Sequence, residues 1–388
     1  MTEAIPVITG AGAVCSLGVD MNAIINRLWS GRSNFSAVPF ASAVFGHRRV
    51  ALAQNFDLNG EVSEGKMLRF MSRETLLAVG ALRRCMADAG IIADRTYAGG
   101  DMALFAGTGI SGIELNEMEN MLRDSTDEVT GLFDPIRFGR DGIARLNPLT
   151  SFRILPNMPP AVAAIQGGIR GRNLVLNPWE GSALTALEEA WWEIHAGRER
   201  IVFCGGSDCK THSDAFLTFT EYGLLGQGDM VLSEGSAYLA LENLQSACQR
   251  RAVPYCRIRA LIHRSLDVPE PWKTMRNETF CRDMIAEALA VGRLQAQDID
   301  LVFSSGDFHP VNDACERQVL EAIFGDTPIL APKEIIGNTF AAAGLLNTAI
   351  GAFILGCRPA AEGRHIERLL ITSFAPGSEQ FCLVLESL

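Results

Sequence analysis

Asn173-Leu174-Val175-Leu176-Asn177-Pro178-Trp179-Glu180-Gly181-Ser182 is the stretch on which the architecture turns. Leu174 to Asn177 is a short apolar run of strand character, and a proline stops it. Gly181 to Ala196 then repeats its apolar residues at helical spacing. Ile201 to Cys204 comes next as a second buried-type strand, and Gly205-Gly206 reads as its end and turn. Strand, helix and strand thus succeed one another.

The same alternation runs outward in both directions. Ahead of it stand a strand at Ile5 to Thr9 opening into a glycine-rich turn, a helix over Arg73 to Gly90, and a strand at Met102 to Ala106. Behind it come strands at Ala237 to Glu242 and Arg257 to His263 and a helix around Phe280 to Val291. A strand at Leu301 to Ser304, a helix around Asp313 to Ile323, and strands near Leu369 to Thr372 and Phe381 to Leu385 complete the series. This is an α/β chain with helices on both sheet faces. The elements fall into two similar sets meeting near residue 245, so the expected units are 1–245 and 246–388. No low-complexity linker parts them, which predicts one fused body.

Composition narrows the function. With 388 residues, 48% hydrophobic and 20% charged, the chain is globular. A formal net charge of -11 and the lack of any Lys/Arg run argue against nucleic acid. Ten cysteines without regular spacing, and an N-terminus with no basic region before its first apolar run, predict a reducing, cytoplasmic setting. Phe340 to Cys357 is apolar, but it is short for a membrane span and holds Asn347 and Thr348; small residues all round suit a helix buried between two sheets.

Two motifs invite over-reading. Gly107-Thr108-Gly109-Ile110-Ser111-Gly112 is a literal G-x-G-x-x-G, yet the second strand ending in an acid is missing, so a tight strand-to-helix turn is expected and no cofactor. Cys204, Cys209 and His212 lack a fourth ligand, so no metal is expected either.

Taken together the stretches resemble the β-ketoacyl-carrier-protein synthases. Val7-Ile8-Thr9-Gly10-Ala11-Gly12-Ala13-Val14 with Leu17-Gly18 is similar to their opening strand and turn, and Trp29-Ser30-Gly31-Arg32-Ser33 to the segment after it. Leu155-Pro156-Asn157-Met158 with Gly168 to Asn173 resembles the run before the nucleophile. Leu232-Ser233-Glu234-Gly235-Ser236-Ala237 looks like a characteristic turn, and Ser373-Phe374 with Gly377 like the glycine-rich C-terminal loop. The resemblance implies a thiolase-like fold: two similar halves, five layers (α-β-α-β-α) and an obligate dimer. It also implies chemistry by one Cys and two His.

At the positions matching those three residues the chain has Glu180, Ser305 and Asn338, while Lys333 matches the family lysine. A carboxylate does not replace a thiolate as acyl carrier, and neither Ser305 nor Asn338 moves a proton near neutral pH as His does. Glu180 at a helix N-terminus reads as a dipole-stabilised acid paired with a cation, with Lys333 as partner to Glu180 or Glu316. His309, before Pro310, reads as a hydrogen-bonded loop residue. Trp179 would tend to fill the acyl pocket. Leu115, Met118 and Leu122 recur at helical spacing, with Phe133 beyond, as tunnel-lining, interface or ordinary core residues.

The departures resemble a chain-length factor, and the short chain with its paired departures resembles the aryl-polyene type. Such a subunit pairs with an active ketosynthase and meets the acyl carrier protein through the complex. The acyl chain, carried on phosphopantetheine, is held mainly by the partner. The alternatives are a malonyl decarboxylase or priming subunit using Glu180, and a homodimeric acyl-binding protein.

Overall fold

Strands of apolar and small residues, the central ones buried on both faces, build two five-stranded sheets of the same topology. The computed structural model describes residues 4–388 except 39–47, 54–55, 58–59, 61, 63–64, 111, 113–114, 178, 226–229, 268–275, 358–364 and 375–376. The first sheet holds β1 (Pro6–Val14), β4 (Met102–Thr108), β5 (Asn173–Leu176), β6 (Ile201–Cys209) and β7 (Leu232–Asn243), in the order β5-β4-β6-β7-β1. A small ribbon of β2 (Phe35–Ala37) and β3 (Arg49–Ala51) hangs on the start of β7. The second sheet holds β8 (Cys256–Ser265), β9 (Leu301–Phe303), β10 (Ile329–Leu330), β11 (Arg368–Phe374) and β12 (Glu379–Ser387), in the order β10-β9-β11-β12-β8.

The correspondence extends to strand direction. β4 is parallel to β5 and β6, and β7 is antiparallel to β6 and β1. In the second sheet β9 is parallel to β10 and β11, and β12 is antiparallel to β11 and β8. The two sheets touch edge to edge where Val7 and Ile8 of β1 pair with Arg257 and Cys256 of β8.

Helices complete five layers. α2 (Arg73–Asp88) and α4 (Met158–Gly167) cover the outer face of the first sheet, after α1 (Met21–Trp29) and α3 (Leu115–Ser125) in chain order respectively. α5 (Ser182–His195) and α9 (Ala343–Cys357) lie between the sheets, with α6 (Ser213–Glu221) at their end. α7 (Glu278–Gly292) and α8 (Pro310–Phe324) cover the outer face of the second sheet. Ser72 starts α2 by accepting the Thr75 N–H, and Gly90 ends it at φ +65°. The apolar stretch Phe340–Cys357 sits inside the fold, buried between the two sheets. Each leucine, isoleucine or phenylalanine it buries contributes about 1.5–3 kcal/mol before chain entropy is counted.

Three expected turns are strand interiors instead. Gly10 and Gly12 lie within β1, Gly205-Gly206 within β6, and Leu232 to Ala237 within β7. The glycines serve close approach: a Cβ on Gly12 would stand 2.2 Å from the Cys85 amide nitrogen, and one on Gly205 2.1 Å from the Tyr238 ring.

Candidate functional site

The turn between β5 and α5 places the first group. After β5 the chain forms a single tight turn, Trp179–Gly181, and enters α5. Trp179 takes φ +58°, a left-handed conformation that a bulky side chain adopts only when its surroundings compel it. Its indole meets the stacked Phe219–Phe340 pair edge-on, 5.8 Å from each ring between centroids. That contact fixes the turn, and the Glu180 carboxylate enters the interior with 1% exposure.

The second half answers it. Lys333, in the short helix Pro332–Ile336, and Asn338, just after it, are 3% and 0% exposed. Lys333 Nζ donates to Glu180 Oε1, and Asn338 Nδ2 donates to Oε2 across 3.3 Å. The asparagine amide is oriented from its other side, because Oδ1 accepts from the Phe340 N–H at 2.8 Å. Its backbone is pinned too: its N–H donates to Val231 C=O, and its C=O accepts from Ser233 N–H. Both carboxylate oxygens are therefore satisfied, and charge is balanced within the buried group.

Ser305 is held in an adjoining network. Its N–H donates to Glu316 Oε1 at 3.0 Å, and its Oγ accepts from the Phe374 N–H at 2.6 Å. Glu316, Asp307 and Asp313 gather round the buried guanidinium of Arg276, at 2.8, 2.9 and 3.6 Å. So Glu316 is taken by Arg276, and Lys333 is left to Glu180. Burial, and then the neighbouring Asp307, push the Asp313 carboxyl up to about 7. Burial opposes the charge of Asp307, but Arg276 outweighs it and holds that carboxyl below its ordinary range. His309 caps α8, its Nδ1 accepting the Asn312 N–H.

On the far side of Trp179 lies a cavity of about 140 Å³, lined by Ile110, Trp179, Phe219, Phe340, Asp208 and Lys210 among others. Trp179 forms a wall of it rather than filling it. Lys210 Nζ binds Asp208 Oδ1 at 2.7 Å and the Ile110 carbonyl at 2.8 Å. The glycine motif ends here. A Cβ on Gly109 would meet the Asp208 carboxylate at 2.3 Å, and one on Gly112 the His212 ring at 1.9 Å. Protein side chains fill the cradle a pyrophosphate would need; Ser111 of the motif lies outside the described residues. Cys204 and Cys209 belong to core clusters on opposite faces of β6 and do not converge, and His212 caps α6.

Sequence reasoning missed Arg276, Asp208 and Lys210. The partners of Arg276 are decided by the tertiary fold, whereas Asp208 and Lys210 pair two residues apart and it is their burial that the fold decides. Of the candidate lining residues, Met118 and Leu122 lie on α3 partly or largely exposed, and Phe133 is 50% exposed. Leu115 begins that helix, with its side chain outside the described residues. Met121, one residue from the expected stripe, is buried.

Residues 5–247 match the family model of the β-ketoacyl synthase N-terminal domain, and residues 255–357 that of the C-terminal domain. The chain belongs to the β-ketoacyl synthase family. Among curated relatives of this ketosynthase-family chain, Nodulation protein E of Rhizobium sp. (strain N33) is 25% identical, over 82% of this chain and 77% of the relative. The 3-oxoacyl-[acyl-carrier-protein] synthase 2 of Synechocystis sp. is 22% identical, over 87% and 82%. Among solved structures, the ishigamide ketosynthase/chain length factor superposes with a TM-score of 0.80 at 20% identity, covering all of both chains. A β-ketoacyl synthase from Burkholderia phymatum gives 0.79 at 21%, covering 99% of this chain and 100% of that one. These likenesses establish the thiolase-like ketosynthase fold.

Proposed function

We propose that this chain is a non-catalytic, chain-length-factor-like subunit. It pairs with an active β-ketoacyl synthase and helps shape the space into which that partner's acyl chain grows. The observation that carries the reading is the buried Glu180–Lys333–Asn338 group. Where the family resemblance calls for a thiolate, a carboxylate is locked to an ammonium and an amide. An acyl group on it would be a mixed anhydride, and neither neighbour is a base that manages proton transfer near neutral pH. The buried thiols offer no substitute, since burial pushes Cys15 up to about 11 and Cys204 and Cys209 higher still.

A partner surface supports the pairing half of the proposal. Between α3 and α4 the chain exposes Val129, Leu132, Phe133, Ile136, Ile143 and Phe152. Val175 is partly exposed on β5, whose outer edge has no strand beside it among the described residues. Apolar exposure on this scale, together with an open sheet edge, suits an obligate partner. The solved ishigamide ketosynthase/chain length factor, whose fold this chain shares, is a precedent for the pairing. An acyl carrier protein would meet this chain through the complex.

Co-expression with an intact ketosynthase tests the proposal. The two are expected to purify together in equal amounts. A stable homodimer that ignores the ketosynthase overturns it.

A further inference from the structure

About two turns beyond Glu180, α5 presents Glu188 to the second sheet. There His263 of β8 stands opposite Phe381 of β12, and the two rings stack with centroids 4.1 Å apart. Nδ1 of His263 lies 2.6 Å from Glu188 Oε2, and Nε2 lies against Glu379 Oε2. Both ring nitrogens thus face carboxylate oxygens. A neutral imidazole has one N–H and one lone pair, so it satisfies one acid and turns a lone pair on the other. Only the imidazolium donates to both. The other Glu379 oxygen already accepts from the hydroxyls of Ser265 at 2.6 Å and Ser378 at 2.8 Å, which favours its ionised form.

Glu379 also anchors the start of β12. Its Cβ packs so tightly on the Trp179 turn that a Cβ on Gly181 would come within 2.3 Å of it. Gly377 sits at the Trp179 indole, the Ser378 carbonyl accepts the Leu266 N–H, and Gln380 Nε2 donates to Gly377 C=O. Residues 377–380 therefore lie over the turn that aims Trp179 and Glu180, and Glu379 is their fixed point.

We propose that His263 is a pH-gated tie between the two halves. As imidazolium it bridges Glu188 of the inner helix and Glu379 of the second sheet, and seats residues 377–380 on the Trp179 turn. As neutral imidazole it releases one acid and loosens that segment. Among the described residues His263 is the one cation bonded to either acid; the neighbouring Arg264 is engaged by Glu287 of α7. Burial works against the charged ring, but its bonds to Glu188 and Glu379 outweigh burial and raise its pKa. Burial likewise opposes the charge of Glu379, and the bonds from Ser265 and His263 hold its carboxyl below the usual range.

A histidine raised above its unfolded value, about 6.5, stabilises the fold fully below that value and loses the contribution as pH rises through the folded pKa. The experiment is a titration of the full chain, in the form in which it purifies, from about pH 6 to about pH 9 around that value. Carbon-detected NMR of the imidazole tracks His263. Hydrogen exchange of residues 377–381, corrected for intrinsic rates, tracks the segment. His263 is expected to titrate above 6.5, with exchange of the segment rising over the same range by about tenfold per unit of elevation. In Glu379→Gln the titration shifts down and the exchange step flattens. If His263 titrates at or below the ordinary value, or titrates while the segment's exchange stays flat, the tie is absent. The unsubstituted chain decides the matter if the variant misfolds.

Discussion

The two halves share one topology and use it differently. In the first, the crossover from β4 to β5 runs through α3 and α4 and exposes a row of apolar side chains. In the second, the crossover from β9 to β10 is the single helix α8, and what it shelters is charge: Arg276 among three acids. At the topologically matching junctions into the inner helices, the first half supplies Glu180 and the second Asn338. A duplicated frame thus holds one face for a partner and one buried electrostatic seam, and neither half closes the seam alone.

Breaking the seam should have the largest effect. Lys333→Met strands the Glu180 carboxylate and is expected to cost about 3–5 kcal/mol, read from denaturant unfolding. Glu180→Gln combined with Lys333→Met should recover most of that loss, because removing both charges removes the penalty. Next comes the surface. Phe133→Asp with Ile136→Asp should weaken association with the ketosynthase by about 2 kcal/mol or more, roughly 30-fold. Val311→Asp, equally exposed on α8 of the second half, should leave it unchanged. Equal losses from both faces would dissolve the contrast between the halves.

A smaller effect concerns pH. Asp313 holds its proton up to about 7 in the fold, against an ordinary value near 3.8. The folded state then binds the extra proton between those values, so this group makes stability fall as pH rises through that window. Asp313→Asn should flatten the slope and raise stability at pH 8 by about 1 kcal/mol, allowing for partial exposure. The smallest expected effect is on product. In the assembled pair, the double Glu180→Gln/Lys333→Met variant should leave product output within about twofold, a difference under 0.5 kcal/mol. Lost output with an intact pair would favour the decarboxylase or priming role for Glu180 instead.

Much of the fold was legible because it is periodic or local. The helix after Trp179, the Phe340–Cys357 segment and the order of strands come from spacing and composition. The pairing of Lys333 was narrowed to Glu180 or Glu316, and what decided it was Arg276, whose side chain reaches Glu316 from a stretch with no regular pattern of its own. The glycines of β1 and β6 misled for a related reason. Glycine signals a turn locally, but here it makes room for a neighbour far along the chain, which no window of sequence contains. His263 carried no signal, since both of its acids come from other elements.

The inner helix α9 has a consequence for biosynthesis. The ribosome releases the first sheet and α5 well before Phe340–Cys357 leaves the exit tunnel. Until then the inner face of that sheet, with Leu239 and Leu241, lacks the apolar cover that α9 gives it in the finished fold. The emerging chain must carry an unfinished core through most of its synthesis, and a stop codon placed near residue 330 should yield a species that chaperones retain and proteases clear. The helix that most resembles a membrane segment is also the keystone of the inner layer, and it is among the last parts of the fold to arrive.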